Sequence, residues 1–112
     1  MDLIEDMEKL AGFVIDIVKA NGFEVINYSY TSQKGVNIKC KDFELDVYAY
    51  TFLQKINVWL NYGTSNINRY DQLIKQFKLV GFIVYTLSGE EAEMYQIPVI
   101  KNNPDLFEFE ED

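Results

Sequence analysis

Between residues 2 and 22 the apolar side chains return at spacings of three and four. Leu3, Met7, Leu10, Val14, Ile17 and Val18 fall on one stripe, with acids and lysines on the others. That pattern predicts an amphipathic helix. Asp2 and Glu5 form a D-x-x-E start signal, and Asn21-Gly22 supplies a stop. Residues 63 to 81 predict a second helix, with Ser65 or Asn66 as cap, Tyr70, Leu73, Ile74 and Phe77 facing inward, and Gly81 as terminator.

Elsewhere the period is two. "FEVINYSYT" and "VNIKCK" read as strands joined by the polar turn at residues 32 to 35, with Val36, Ile38 and Cys40 alternating against Asn37, Lys39 and Lys41. In "KDFELDVYAY", residues 41 to 50, Phe43, Leu45, Val47 and Ala49 form an apolar side. Asp42, Glu44, Asp46, Tyr48 and Tyr50 form the other. "KINVWLNY" follows after the turn "TFLQ". Like faces must pair, because a slip of one residue would turn every core side chain outward. A four-residue loop at 51 to 54 therefore sets Tyr48 opposite Asn57, Asp46 opposite Trp59 and Glu44 opposite Asn61.

"FIVYTL" has the β-branched and aromatic content of a buried strand. "SGEEAEMYQIPVI" has two readings: a short helix with Ser88 and Glu91 as capping box, or, preferred, a strand that Pro98 confines to an edge. The order helix, four strands, helix, one or two strands predicts an α+β domain over residues 1–103. Its antiparallel sheet has five or six strands, with both helices on one face and the other face open. Residues 104–112 are expected to be an acidic C-terminal tail containing Phe107 and Phe109.

Charge sharpens this picture. The net charge is -8, but residues 1 to 89 hold ten acids against nine bases, whereas residues 90 to 112 hold eight acids against Lys101 alone. An acidic excess repels nucleic acid and anionic membrane surfaces and favours a basic partner. The lone Cys40 excludes an intramolecular disulfide and suggests a reducing compartment, the cytoplasm. No apolar run has the roughly 18 residues of a membrane span, and the first ten residues are acidic where a signal peptide would be basic.

The catalytic inventory is thin. With no histidine, the usual general base, the triads built on it and most zinc sites drop out together. Cys40 sits on an apolar strand face, as a small buried hydrophobe does. No Walker loop or G-x-G-x-x-G occurs, and Gly63-Thr64-Ser65 reads as a helix cap. No cofactor is expected. One enzymatic alternative survives: Asp42, Glu44 and Asp46 as oxygen ligands for magnesium or manganese in phosphoryl transfer. A basic residue to steady developing charge is missing from that face, and an acidic protein slows the approach of a polyanion.

The interaction reading uses the same face. Tyr48, Tyr50 and Trp59 beside carboxylates have the composition of a binding surface, unless a helix or the tail covers them. Acids two apart on a strand are about 6.7 Å apart, far sparser than one charge per roughly 1.7 Å of DNA axis, so mimicry of DNA has to recruit the tail acids, the Glu90-Glu91-Glu93 cluster or the first helix as well. The expected function is a small non-enzymatic inhibitor or adaptor that binds a basic, nucleic-acid-handling protein such as a nuclease. Phage anti-defence inhibitors, anti-CRISPR proteins among them, and nuclease-immunity proteins share this profile of size and charge, though no motif assigns the chain to either. Expected contacts are Asp42, Glu44, Asp46, Tyr48, Tyr50 and Trp59, with Glu108, Glu110 and Glu111 secondary. A homodimer through the open face, Trp59 against Trp59, is a third reading.

Overall fold

The computed structural model describes residues 3–32 and 34–89. They form α1 (Met7–Ala20), β1 (Val25–Ser32), β2 (Gly35–Cys40), β3 (Phe43–Tyr50), β4 (Lys55–Asn61), a 3-10 turn (Ile67–Tyr70), α2 (Asp71–Leu79) and β5 (Ile83–Leu87). The class is α+β, with the helix, four strands, helix, strand order that the periodicities predict. The tail and the two readings of residues 88 to 100 lie outside the described residues or run beyond them.

Helix α1 starts later than the D-x-x-E signal suggests. Asp6, with extended backbone, caps it by accepting a hydrogen bond from the Lys9 amide at 3.1 Å. Residues 3 to 5 are instead a turn, in which Ile4 is buried and its carbonyl accepts from Lys34 Nζ at 3.0 Å. At the other end Asn21 Nδ2 donates to the Ile17 carbonyl at 2.8 Å, and Gly22 takes φ 85°. Leu10, Ala11, Val14 and Val18 form the buried stripe.

The five strands lie in sequence order, β1-β2-β3-β4-β5. Cys40 pairs with Phe43 across a two-residue turn, and Tyr50 with Lys55 across a four-residue one. That fixes the predicted register: Tyr48 is opposite Asn57, Asp46 opposite Trp59, and Glu44 opposite Asn61. One pairing departs from the antiparallel expectation. Strand β5 runs parallel to β4, because the 3-10 turn and α2 between them form a crossover that returns the chain to the starting end of β4. The strand is also only half-buried; among the described residues it is the last in the sheet.

Both helices pack on the same face. Leu10, Val14 and Val18 of α1 and Leu73 and Phe77 of α2 join the inward side chains of β2, β3 and β4 in one core. Each such aliphatic side chain contributes about 1.5–3 kcal/mol on full burial. Tyr70 closes one end, its ring 4.8 Å from that of Phe43 and its hydroxyl 2.7 Å from Ser65 Oγ, so the buried polar tip has a partner. Among the described residues, no helix is long and apolar enough to cross a membrane.

Candidate functional site

The face of the sheet away from the helices carries most of the residues that the sequence marks as contacts. Along β3 burial alternates strictly, so Glu44, Asp46, Tyr48 and Tyr50 all project to this side. All four are half-buried rather than open. What covers them is partly one another and partly the neighbouring strands.

The acids are organised by Asn37 of β2, which pairs with Asp46 across the strands. Its Nδ2 donates to Glu44 Oε2 at 2.9 Å and to Asp46 Oδ1 at 2.8 Å. Both hydrogens of one amide are thereby used to hold two like charges on the same face. Burial raises the Asp46 pKa, the Asn37 hydrogen bond opposes that shift, and the Glu44 charge adds to it. Burial likewise raises the Tyr48 pKa, with the Asp46 charge adding and a hydrogen bond with Thr31 opposing.

Asp42 does not complete the row. It occupies the β2–β3 turn with φ 75° and is exposed. Its Oδ2 lies 3.6 Å from Arg69 Nη1, in a pair open to solvent on both sides, where such contacts contribute little. The strand periodicity correctly set Glu44 and Asp46 together, but a tight turn rotates its last residue out of the pleat. Among the described residues, no three His, Cys, Asp or Glu side chains gather as a cation would require.

Trp59 is the second departure. It is 6% exposed, stacked on Tyr85 of β5 with centroids 4.4 Å apart and planes within 18°. Tyr48, Tyr50, Leu53, Ile83 and Leu87 pack around it. The ring is therefore not a free contact, and a dimer built on Trp59 against Trp59 has no exposed indole to use. Beside it lies Asn57, 0% exposed, set between Tyr48 and Ile83 on the adjacent strands. Neither its Oδ1 nor its Nδ2 has a hydrogen-bond partner among the described residues. The face expected to be open is a second, smaller packed layer.

Cys40 matches its reading as a core residue. It is buried, and that burial, with the Glu44 charge adding, pushes its thiol up to about 12, so it is no thiolate nucleophile at neutral pH. At the hairpin end of the outer face an open cleft of about 370 Å³ lies between Ile26, Lys39, Glu44 and Asn61. Sequence reasoning missed Asn37 and Tyr85. Strand pairing of "VNIKCK" with "FELDVY" was enough to find the first; the second required the parallel register of β5. Glu108, Glu110 and Glu111 lie outside the described residues.

Compared with protein-family models, with curated proteins and with solved structures, the chain matches none.

Proposed function

We propose that the chain is a small acidic binding protein that occupies a basic surface of another protein. Its partner is of the kind that handles nucleic acid, a nuclease for example. The observation carrying this reading is the segregation of charge: ten acids against nine bases in residues 1 to 89, and eight against one in residues 90 to 112. A body close to neutral with a concentrated acidic end draws a cationic surface over a distance set by the screening length.

The contacts divide by what they contribute. Glu108, Glu110 and Glu111 supply attraction, while Glu44 and Asp46 supply a fixed pair of carboxylates, held at a set spacing by Asn37. Tyr48 and Tyr50, half-buried on the same side, add aromatic surface beside them. Trp59 stiffens this surface by packing against both tyrosines on the same side of the sheet. Asp42 adds charge at the rim. Inhibitors of nucleases and of bacterial defence systems are functional classes in which such a protein would belong.

Affinity capture from a cell lysate in low and high salt tests the reading, with three variants alongside: the chain ended after Asn103, Glu44→Gln with Asp46→Asn, and Trp59→Leu. A salt-sensitive partner that is lost with the tail and weakened by the carboxylate changes is the expected result. Retention that ignores salt and tail alike would refute the class of partner. The phosphoryl-transfer alternative has no converging ligand set among the described residues to support it.

A further inference from the structure

The first strand stands at the border of the sheet, paired with β2 on one side and with no strand among the described residues on the other. Such an edge offers a row of backbone donors and acceptors to any further strand, and proteins commonly guard it with lysine, proline or inward charge. Residues 25 to 32, "VINYSYTS", have neither charge nor proline. They do expose apolar surface, Ile26 at 60%, Tyr28 at 50% and Tyr30 at 48%. Irregularities in the pairing with β2 flank a regular stretch from Asn27 to Tyr30.

We propose that this edge pairs with β1 of a second copy, antiparallel, to make a continuous ten-stranded sheet. Three observations select a second copy over an unrelated strand. An antiparallel pair of identical strands is two-fold by construction, so a charged residue near its centre would face its own like; β1 has none. The described body is electrically nearly neutral, since all but one unit of the net charge falls in residues 90 to 112. Nothing on β1 therefore selects a charged stranger or repels a twin.

The third observation is the register. Tyr28 and Tyr30 pair with Ile38 and Val36 and so share their helix side, whereas Ser29 pairs with Asn37 and shares the outer side. A two-fold axis perpendicular to the sheet keeps sides matched only when residues of the same parity pair. The middle of the regular stretch falls between Tyr28 and Ser29; of the two same-parity registers beside it, the one with Ser29 opposite Ser29 puts Tyr28 opposite Tyr30 of the second copy, twice. The two edge-to-face tyrosines of each copy, 6.2 Å apart, thus become a cluster of four rings, and all the helices stay on one side of the joint sheet. A half-exposed tyrosine brings about 100 Å², so the side chains alone fall well short of the roughly 800 Å² per partner of a stable interface. The association rests largely on main-chain hydrogen bonds and is weak.

Sedimentation of the full chain tests this at about 0.15 M salt, where a screening length of about 8 Å mutes repulsion between tails. The mass should climb from 13.1 kDa toward twice that value between about 10 μM and about 1 mM, the span over which weak interfaces titrate. Tyr28→Lys should hold it at the monomer value. Independently, Ser29→Cys should cross-link to itself on oxidation, because directly opposed strand residues approach within disulfide range; Thr51→Cys, on the exposed β3–β4 turn, should not. A monomer at every concentration overturns the proposal. So does a dimer indifferent to Tyr28→Lys, or cross-linking as fast at Thr51→Cys as at Ser29→Cys.

Discussion

Asn57 offers the sharpest energetic test, because it is fully buried on β4 and both amide atoms lack partners among the described residues. An unsatisfied buried donor or acceptor costs about 1–3 kcal/mol. Asn57→Leu keeps the branching and the number of heavy atoms while removing both polar atoms, and its neighbours Tyr48, Trp59 and Ile83 are apolar or aromatic. Tetrahedral methyl groups are bulkier than an amide, and such overpacking returns about 1 kcal/mol or more. The net expectation is a gain of about 2 kcal/mol. With a urea slope of about 1–2 kcal/mol/M for a protein of this size, the unfolding midpoint should rise by about 1–2 M, and the melting temperature by about 10 °C. Asn57→Val, one heavy atom smaller, separates crowding from chemistry. Should both variants unfold at lower urea than the parent, the amide of Asn57 is hydrogen-bonded in the folded protein and the reasoning fails.

Three further outcomes follow from the same layer and the core beneath it. Trp59→Ala should destabilise by about 3 kcal/mol or more, and a double-mutant cycle with Tyr85→Ala should return a coupling of about 1 kcal/mol for the stacked pair; additive losses would contradict the contact at 4.4 Å. Burial holds the Asp46 pKa above its ordinary value, so the folded state binds that proton more tightly than the unfolded chain does. The stabilisation this gives is full at pH below the ordinary carboxylate range and is lost as pH rises through the raised value; urea titrations across pH should show that decline flattened in Asp46→Asn, and an unchanged profile would refute it. Cys40, with its thiol near 12 and its side chain buried, should react with a maleimide only as fast as the protein opens; rapid labelling of the native chain would show the core misassigned.

Much of this arrangement is legible in the sequence because two local rules act together. The period of two in "FELDVYAY" and "KINVWLN" assigns faces, and turn length then permits one register, which is why the pairs Tyr48–Asn57, Asp46–Trp59 and Glu44–Asn61 come out as predicted. What periodicity cannot express is the cover on a face. Tyr85 reaches Trp59 only because α2 carries β5 back alongside β4 in the parallel sense, and that long-range choice leaves no mark on "FIVYTL". Asp42 fell from the acid row for a local reason, the positive φ of a two-residue turn. The late start of α1 is tertiary: Lys34, distant in the chain, holds the Ile4 carbonyl and keeps residues 3 to 5 out of the helix. The uncharged run at β1 is plain in the sequence, whereas its place at the border of the sheet among the described residues is set by strand order, which local pattern does not carry.

The central claim is that the aromatic side of the sheet is packed around Trp59, and the contact surface we propose is built on that packing. Trp59 is the only tryptophan, so its fluorescence reports on that layer without ambiguity. Acrylamide quenching of the native full-length chain should be weak, with blue-shifted emission that turns red and readily quenched only on unfolding. Emission from the native protein that already matches a solvent-exposed indole would contradict the packed layer and return Trp59 to the surface as a contact.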